Sequence, residues 1–371
     1  MTTSFERSIA EIEPGCPLPG LVEAAPEAEI CSFARKHRSA IRSALLEHGA
    51  LLFRGFDVTE PSQFEDFIRA VDLPLMDYPR GGSPRTRLKG QIFTSTDTRP
   101  DFPIPVHAEM SYTNIYPQGI VFGCATPAAE GGETPLVDLR RILARIPEPA
   151  VAELERRELQ YIQIVPLEAT PILTRTWPDM FGTRDHREVE RIATEQKNEC
   201  TWLEDGSLRL RARVPAFRKH PKTGERVWFN QAPFWLGSMS EELAELATSG
   251  ETLEAPDREE SPAHYASRAH YASRANDASR ANDASRANDA SKANDASKAS
   301  KALDCRYADG GALPSELFDE IRESIRELTV AFPWQRGDLM LIDNLRVGHG
   351  RTTFKGERRI LAALVAELWR Q

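Results

Sequence analysis

Apolar residues in this chain come in short runs closed by Gly, Pro or charged turns, and this spacing limits the fold more than any other feature. "ALLFRGF" (50–56), "GQIFTST" (90–96), "GIVFGCATPA" (119–128), "LQYIQIVPL" (159–167) and "DLMLID" (338–343) each have the length of a strand bounded by turn signals. Helical spacing is confined to a few stretches. "EAEICSFARKHRSAIRSALLEH" (27–48) is followed by Gly49 as a C-cap, and "PSQFEDFIRAVD" (61–72) is a second amphipathic helix. A third, after Asp138, is broken at Pro147 and Pro149, and a fourth lies near 314–328. Many short strands with a few flanking helices predict a mainly β, α+β protein: a β-sandwich or jelly roll carrying helices.

Composition narrows the function classes. A net charge of −9 argues against nucleic-acid binding, which calls for a basic patch or stripe. No apolar run is long enough to span a bilayer. The segment "MTTSFERSIAEIEPG" lacks a basic region followed by an apolar core, so no secretory signal is expected. The five cysteines are scattered and form no CxxC, which favours neither a disulfide framework nor a zinc site and makes a reducing cytoplasm the simplest compartment.

Residues 264–299 form a tandem hexad, two copies of HYASRA, two of NDASRA and two of NDASKA. A period of six gathers no single residue type on one helical face, and apart from the two tyrosines nothing larger than Ala is apolar. We read 264–302 as a low-complexity insertion within one domain spanning 1–371.

Of the eight histidines, His107 and His349 have unusual surroundings. In "PVHAEMSY" His107 and Glu109 are two positions apart, which on a strand puts imidazole and carboxylate on one face. Alone, an H-x-E pair is weak. A distant partner is offered by "RGDLMLIDNLRVGHGR", where Gly348 and Gly350 flank His349 and would let a metal approach the backbone. Two histidines and one carboxylate make a facial triad with open metal positions. On the next strand, "GERRILAAL", alternation puts Arg359 with Leu361 and Arg358 with Ile360 on opposite faces, and a guanidinium there could clamp a dicarboxylate. Thr134, after the Gly-Gly turn of "EGGETPLVD", could share that carboxylate.

Together "HAEMSY", "GGETP", "WFNQAPF", "WQRGDLMLIDNLRVGHGR" and "GERRI" resemble the TauD/TfdA family of iron(II)- and 2-oxoglutarate-dependent dioxygenases, from about Ala50 to the C-terminus apart from the repeat. The resemblance implies a double-stranded β-helix (a distorted, cupin-like jelly roll). It implies His107, Glu109 and His349 as iron ligands, Thr134 and Arg359 as the holders of the distal carboxylate of 2-oxoglutarate, and O₂ as the oxidant. Ser111 and Asn230 are candidate substrate or supporting contacts. Glu in place of Asp resembles the clavaminate synthase and SyrP-like members, and Ala363 stands where the taurine enzymes carry a sulfonate-binding arginine. The retained carboxylate also counts against halogenation.

The implied reaction is hydroxylation of an unactivated C–H bond of an amino acid, free or tethered to a peptidyl carrier protein, in natural-product biosynthesis. Desaturation or oxidative cyclisation at the same iron is the competing chemistry, and a non-catalytic regulator keeping the fold is the alternative of another class. A zinc hydrolase is disfavoured, because no HExxH motif is present. Self-association into a homo-oligomer is left open.

Overall fold

The computed structural model describes residues 9–13, 15–24, 28–77, 85–169, 175–236 and 303–369; the hexad segment 264–302 lies outside them. Each of the long apolar runs forms a strand. They assemble into a nine-stranded sheet in the order Ala10–Glu13, Cys16–Glu23, Ala50–Arg54, Leu339–Asp343, Gly119–Thr126, Arg359–Val365, Ile92–Thr94, Arg87–Lys89, with Leu75–Met76 also pairing on Arg359–Val365. All pairings are antiparallel except that of Cys16–Glu23 with Ala50–Arg54.

The central strands are apolar at every position because both faces of this sheet are covered. Leu51, Phe53, Val121, Leu339, Leu341, Leu361 and Ala363 point outward, onto helices Ile30–His48 and Pro61–Val71. The alternate residues, among them Leu52, Ile120, Phe122, Met340, Ile342, Ile360 and Ala362, point inward. That inner layer also holds Leu136 and Val347, from a three-stranded sheet in the order Leu136–Asp138, Val347–Arg351, Ile104–His107. Two sheets facing one another around one apolar layer make the double-stranded β-helix.

A four-stranded sheet (Asn198–Trp202, Leu208–Val214, Leu159–Val165, Leu303–Tyr307) and helix Ser315–Leu328 cover the outer side of the small sheet through the cluster containing Tyr161, Trp228, Trp235 and Phe318. The expected helices form as Ile30–His48, Pro61–Val71 and Ser315–Leu328, and His186–Glu195 is a further helix the periodicity did not single out. Helix Ile30–His48 ends at a left-handed Gly49 whose N–H returns to Leu45 O, and the break at Pro147 separates Leu139–Leu143 from Glu148–Arg157. Among the described residues no helix is long and apolar enough to cross a membrane.

In the small sheet, His349 pairs across the ladder with His107 on one side and Leu136 on the other. Gly350, next to His349, is required by strand approach: a Cβ there would lie 2.5 Å from Ile104 O and 3.2 Å from Val106 N. The glycine therefore serves backbone packing between the two histidine strands, not access of a metal to the backbone. Gly350→Ala is expected to cost about 1–3 kcal/mol, as overpacking does. Urea unfolding measures it, and a stability equal to the parent would refute the close-approach account.

Candidate metal centre and active site

His107 ends the strand Ile104–His107, and the chain turns at once, with Met110 in the left-handed region at φ 56°. Glu109 thus reaches the His107 side through a turn; the alternation of a continuing strand plays no part. His349 arrives from the neighbouring strand. The three side chains place one ligand atom each within 4.8 Å of one another, and Glu109 and His349 are buried. The His107 and His349 rings are 4.7 Å apart, and His349 Nε2 lies 3.8 Å from Glu109 Oε2.

The turn carrying Glu109 is held by side chains remote in sequence. Glu109 N donates to Asn344 Oδ1 at 2.8 Å, and Asn344 Nδ2 donates to Glu109 O at 3.0 Å and to Pro117 O at 2.8 Å. Gln231 Nε2 donates to Ala108 O at 2.7 Å, and Gln231 N donates to Tyr161 Oη. Next to Asn344, the buried Asp343 accepts from His220 Nε2 (2.8 Å) and Trp369 Nε1 (3.2 Å), tying the hairpin Phe217–Lys219/Arg226–Trp228 to the same strand end. Neither Asn344 nor Gln231 was singled out in the sequence, although both lie inside quoted motifs, "WQRGDLMLIDNLRVGHGR" and "WFNQAPF". His220 lies at the turn of that hairpin with its ring buried.

The electrostatics prepare the donors. Burial pushes His107 down to about 4, and His349 beside it adds to that shift. It is a neutral imidazole near neutral pH, the form that binds a metal. With Nδ1 2.9 Å from Pro105 O, the His107 Nδ1–H donates to that carbonyl and Nε2 is left as the ligand atom. Burial works against the Glu109 carboxylate, but the Arg85 guanidinium, 2.7 Å away, and the two histidines outweigh it and keep Glu109 ionised. Among the described residues His349 Nδ1 is buried without a hydrogen-bond partner, and Phe122 (5.4 Å) and Phe234 (6.0 Å) wall the imidazoles. Two imidazoles and one carboxylate in a buried pocket suit iron(II), so the residues present fit the expected ion.

At the co-substrate end the two arginines differ. Arg359, at the strand start, is exposed, and the pairing with Gly119–Thr126 shifts register between it and Ile360. Arg358 is half-buried: its Nε donates to Gly132 O at 2.8 Å, and its guanidinium lies 5.5 Å from the Phe354 ring. Gly132, at φ 75°, opens this cradle, since a Cβ there would lie 2.9 Å from the Arg358 side chain. Burial, with Arg351 nearby, lowers Arg358 to about 10, so it remains a cation. Two residues on, the buried Thr134 accepts from Trp334 Nε1 at 3.0 Å, which leaves its own O–H to donate elsewhere. Further along the strand the inward position is Ala362, while Ala363 faces the helices.

Ser111 and Asn230 are both buried, and both serve the backbone. Ser111 Oγ donates to Ala108 O at 3.0 Å, while Asn230 Nδ2 donates to Ala216 O and its Oδ1 accepts from Ala232 N. They hold the loops around the site, and the geometry assigns them no substrate contact. If Asn344 fixes the Glu109 turn, Asn344→Ala should weaken Co(II) binding to the purified protein by about 10–100-fold, the usual cost of losing a ligand's supporting partner. Equal affinity by calorimetry would show that the clamp is dispensable.

Comparison with known proteins agrees with this geometry. The chain matches the family described as taurine catabolism dioxygenase TauD, TfdA over residues 15–364. It is 29% identical to the dapdiamide synthesis protein DdaC of Enterobacter agglomerans, over 98% of this chain and 95% of that protein. It is also 29% identical to a clavaminate synthase-like protein of Arabidopsis thaliana, over 87% of this chain and 83% of that one. A taurine dioxygenase structure from Burkholderia xenovorans superposes with a TM-score of 0.47 at 16% identity, covering 94% and 86% of the two chains. The chain belongs to the TauD/TfdA family and is an iron(II)- and 2-oxoglutarate-dependent oxygenase.

Proposed function

We propose that this protein hydroxylates an unactivated C–H bond of an amino acid or aminoacyl substrate, with His107, Glu109 and His349 holding iron(II). The observation that carries the reading is the convergence of these three buried donors within 4.8 Å. Thr134 and Arg358 hold the distal carboxylate of 2-oxoglutarate. The guanidinium neutralises that carboxylate, and the Thr134 hydroxyl donates to it once Trp334 has filled its acceptor side. Bound iron with 2-oxoglutarate and O₂ supplies the oxidising chemistry, in which decarboxylation to succinate and CO₂ accompanies substrate oxidation.

The protein's own work is orientation and exclusion of water. Pro105 O sets the His107 tautomer, Asn344 fixes the turn that presents Glu109, and Phe122 and Phe234 keep solvent from the imidazoles. The longer glutamate, in place of aspartate, supplies the same ligand charge from a turn held at its backbone. Likeness to the dapdiamide synthesis protein supports a place in natural-product biosynthesis.

Succinate release from 2-oxoglutarate under Fe(II) and ascorbate, with free amino acids and aminoacyl carrier proteins as candidates, tests the reading. A product gaining one oxygen marks hydroxylation, and one losing two hydrogens marks desaturation or ring closure. His349→Ala should abolish turnover, and retained activity would sink the metal assignment. Arg358→Ala should raise the KM for 2-oxoglutarate by about 10–100-fold, the worth of a charge-assisted hydrogen bond. Arg359→Ala should change it less than about twofold, as an exposed surface charge does; the reverse pattern would return the role to Arg359.

A further inference from the structure

We propose that Trp369 is a positioning residue for the metal ligand Glu109, acting with Gln118 and His220 through the strand end Asp343–Asn344. This role rests on the active-site reading above and adds to it residues that act only through others. Asn344 is the link. Its Oδ1 accepts from Glu109 N, and its Nδ2 donates to Glu109 O and to Pro117 O. One carboxamide can reach all three groups only while the backbone of Asn344 keeps its place. The strand Leu339–Asp343 ends one residue earlier, so Asn344 lies past the reach of the sheet ladder and needs other holders.

Residues 368 and 369 supply them. Trp369 Nε1 donates to Asp343 Oδ2 at 3.2 Å. Leu368 N and Trp369 N donate to Gln118 Oε1 at 3.0 and 3.3 Å, and Gln118 O accepts from Asn344 N at 3.0 Å. Leu368 O is itself held by Arg42 Nη1, at 2.8 Å, from the helix Ile30–His48. The pair therefore grips Asp343 by its side chain and Asn344 by way of Gln118.

The buried Asp343 carboxylate is oriented from two more directions. His220 Nδ1 faces Lys222 N at 3.3 Å and Thr223 N at 3.1 Å, and backbone N–H groups can only donate. The His220 ring proton therefore stands on Nε2 and is given to Asp343 Oδ2 at 2.8 Å. Leu345 N donates to Asp343 Oδ1 at 3.1 Å, and the Trp369 ring packs edge-on against His220 with centroids 5.4 Å apart. A buried carboxylate so occupied turns only by breaking these bonds. Without the indole donor Asp343 turns to satisfy that oxygen elsewhere, and the adjoining Asn344 moves with it.

The test is Co(II) binding to the purified protein, followed by calorimetry and by the visible ligand-field bands of the bound ion, which report ligand geometry. Trp369→Phe keeps a ring and removes the donor. We expect it to weaken Co(II) binding about tenfold, the lower end of what losing a ligand's supporting partner costs, and to alter the bands. His220→Leu should do the same, while His220→Gln, whose amide can still donate to Asp343, should bind as the parent does. Val189→Ala, in the separate cluster around Trp177, is the stability control: it should lower the unfolding temperature and leave binding and bands unchanged. Failure of the parent protein to take up Co(II) would overturn the active-site reading itself. With the parent binding, three results overturn the role of Trp369 alone. They are parent-like affinity and bands in Trp369→Phe, equal losses in His220→Gln and His220→Leu, or a comparable loss in Val189→Ala.

Discussion

The backbone ladder between Ile104–His107 and Val347–Arg351 carries this structure's chemistry, because it sets two imidazoles side by side from segments far apart in sequence. Gly350 permits the approach, and the inner apolar layer holds the sheet against the larger one. Once that ladder forms, a third ligand is needed only a turn away. The chain supplies it by reversing direction at Met110 and pinning Glu109 through both of its backbone polar groups to Asn344. One strand end, Asp343–Asn344, thereby ties the hairpin around His220 to the ligand turn. A loop so tethered is a rigid platform, and that is what pre-organised metal binding demands.

Charge is distributed to match. The donors are kept in their metal-binding forms by different means, His107 neutral through burial and Glu109 ionised through Arg85. The two guanidinium groups lie at different parts of the pocket, Arg85 on the Glu109 side and Arg358 on the Gly132 turn.

Much of this was legible in the residues. Short apolar runs such as "ALLFRGF" and "DLMLID" predicted strands that form, and the histidine and glutamate motifs pointed to the ligand set that the fold brings together. One misreading has a physical cause: H-x-E was read as two residues of one strand, whereas the strand ends at His107. Arg359 was taken from the resemblance, whereas Arg358 is the more buried of the two arginines and donates to Gly132 O. Ser111 and Asn230 were candidates for substrate or supporting contacts, and both support backbone carbonyls that no local pattern identifies. The hexad 264–302 stays as the sequence left it, outside the described residues.

By itself the sequence determined the periodicities, and with them a mainly β chain with helices on its flanks, because strand and helix alternation are local properties of a dozen residues at a time. It also carried the identity of the ligand types, since side-chain chemistry does not depend on the fold. Only the tertiary structure decided which arginine is buried against the Gly132 turn, which side chains clamp the Glu109 turn, and that Arg85 pairs with Glu109. These depend on register, bulges and contacts between residues more than two hundred positions apart, such as Glu109 with Asn344, and no local pattern encodes them.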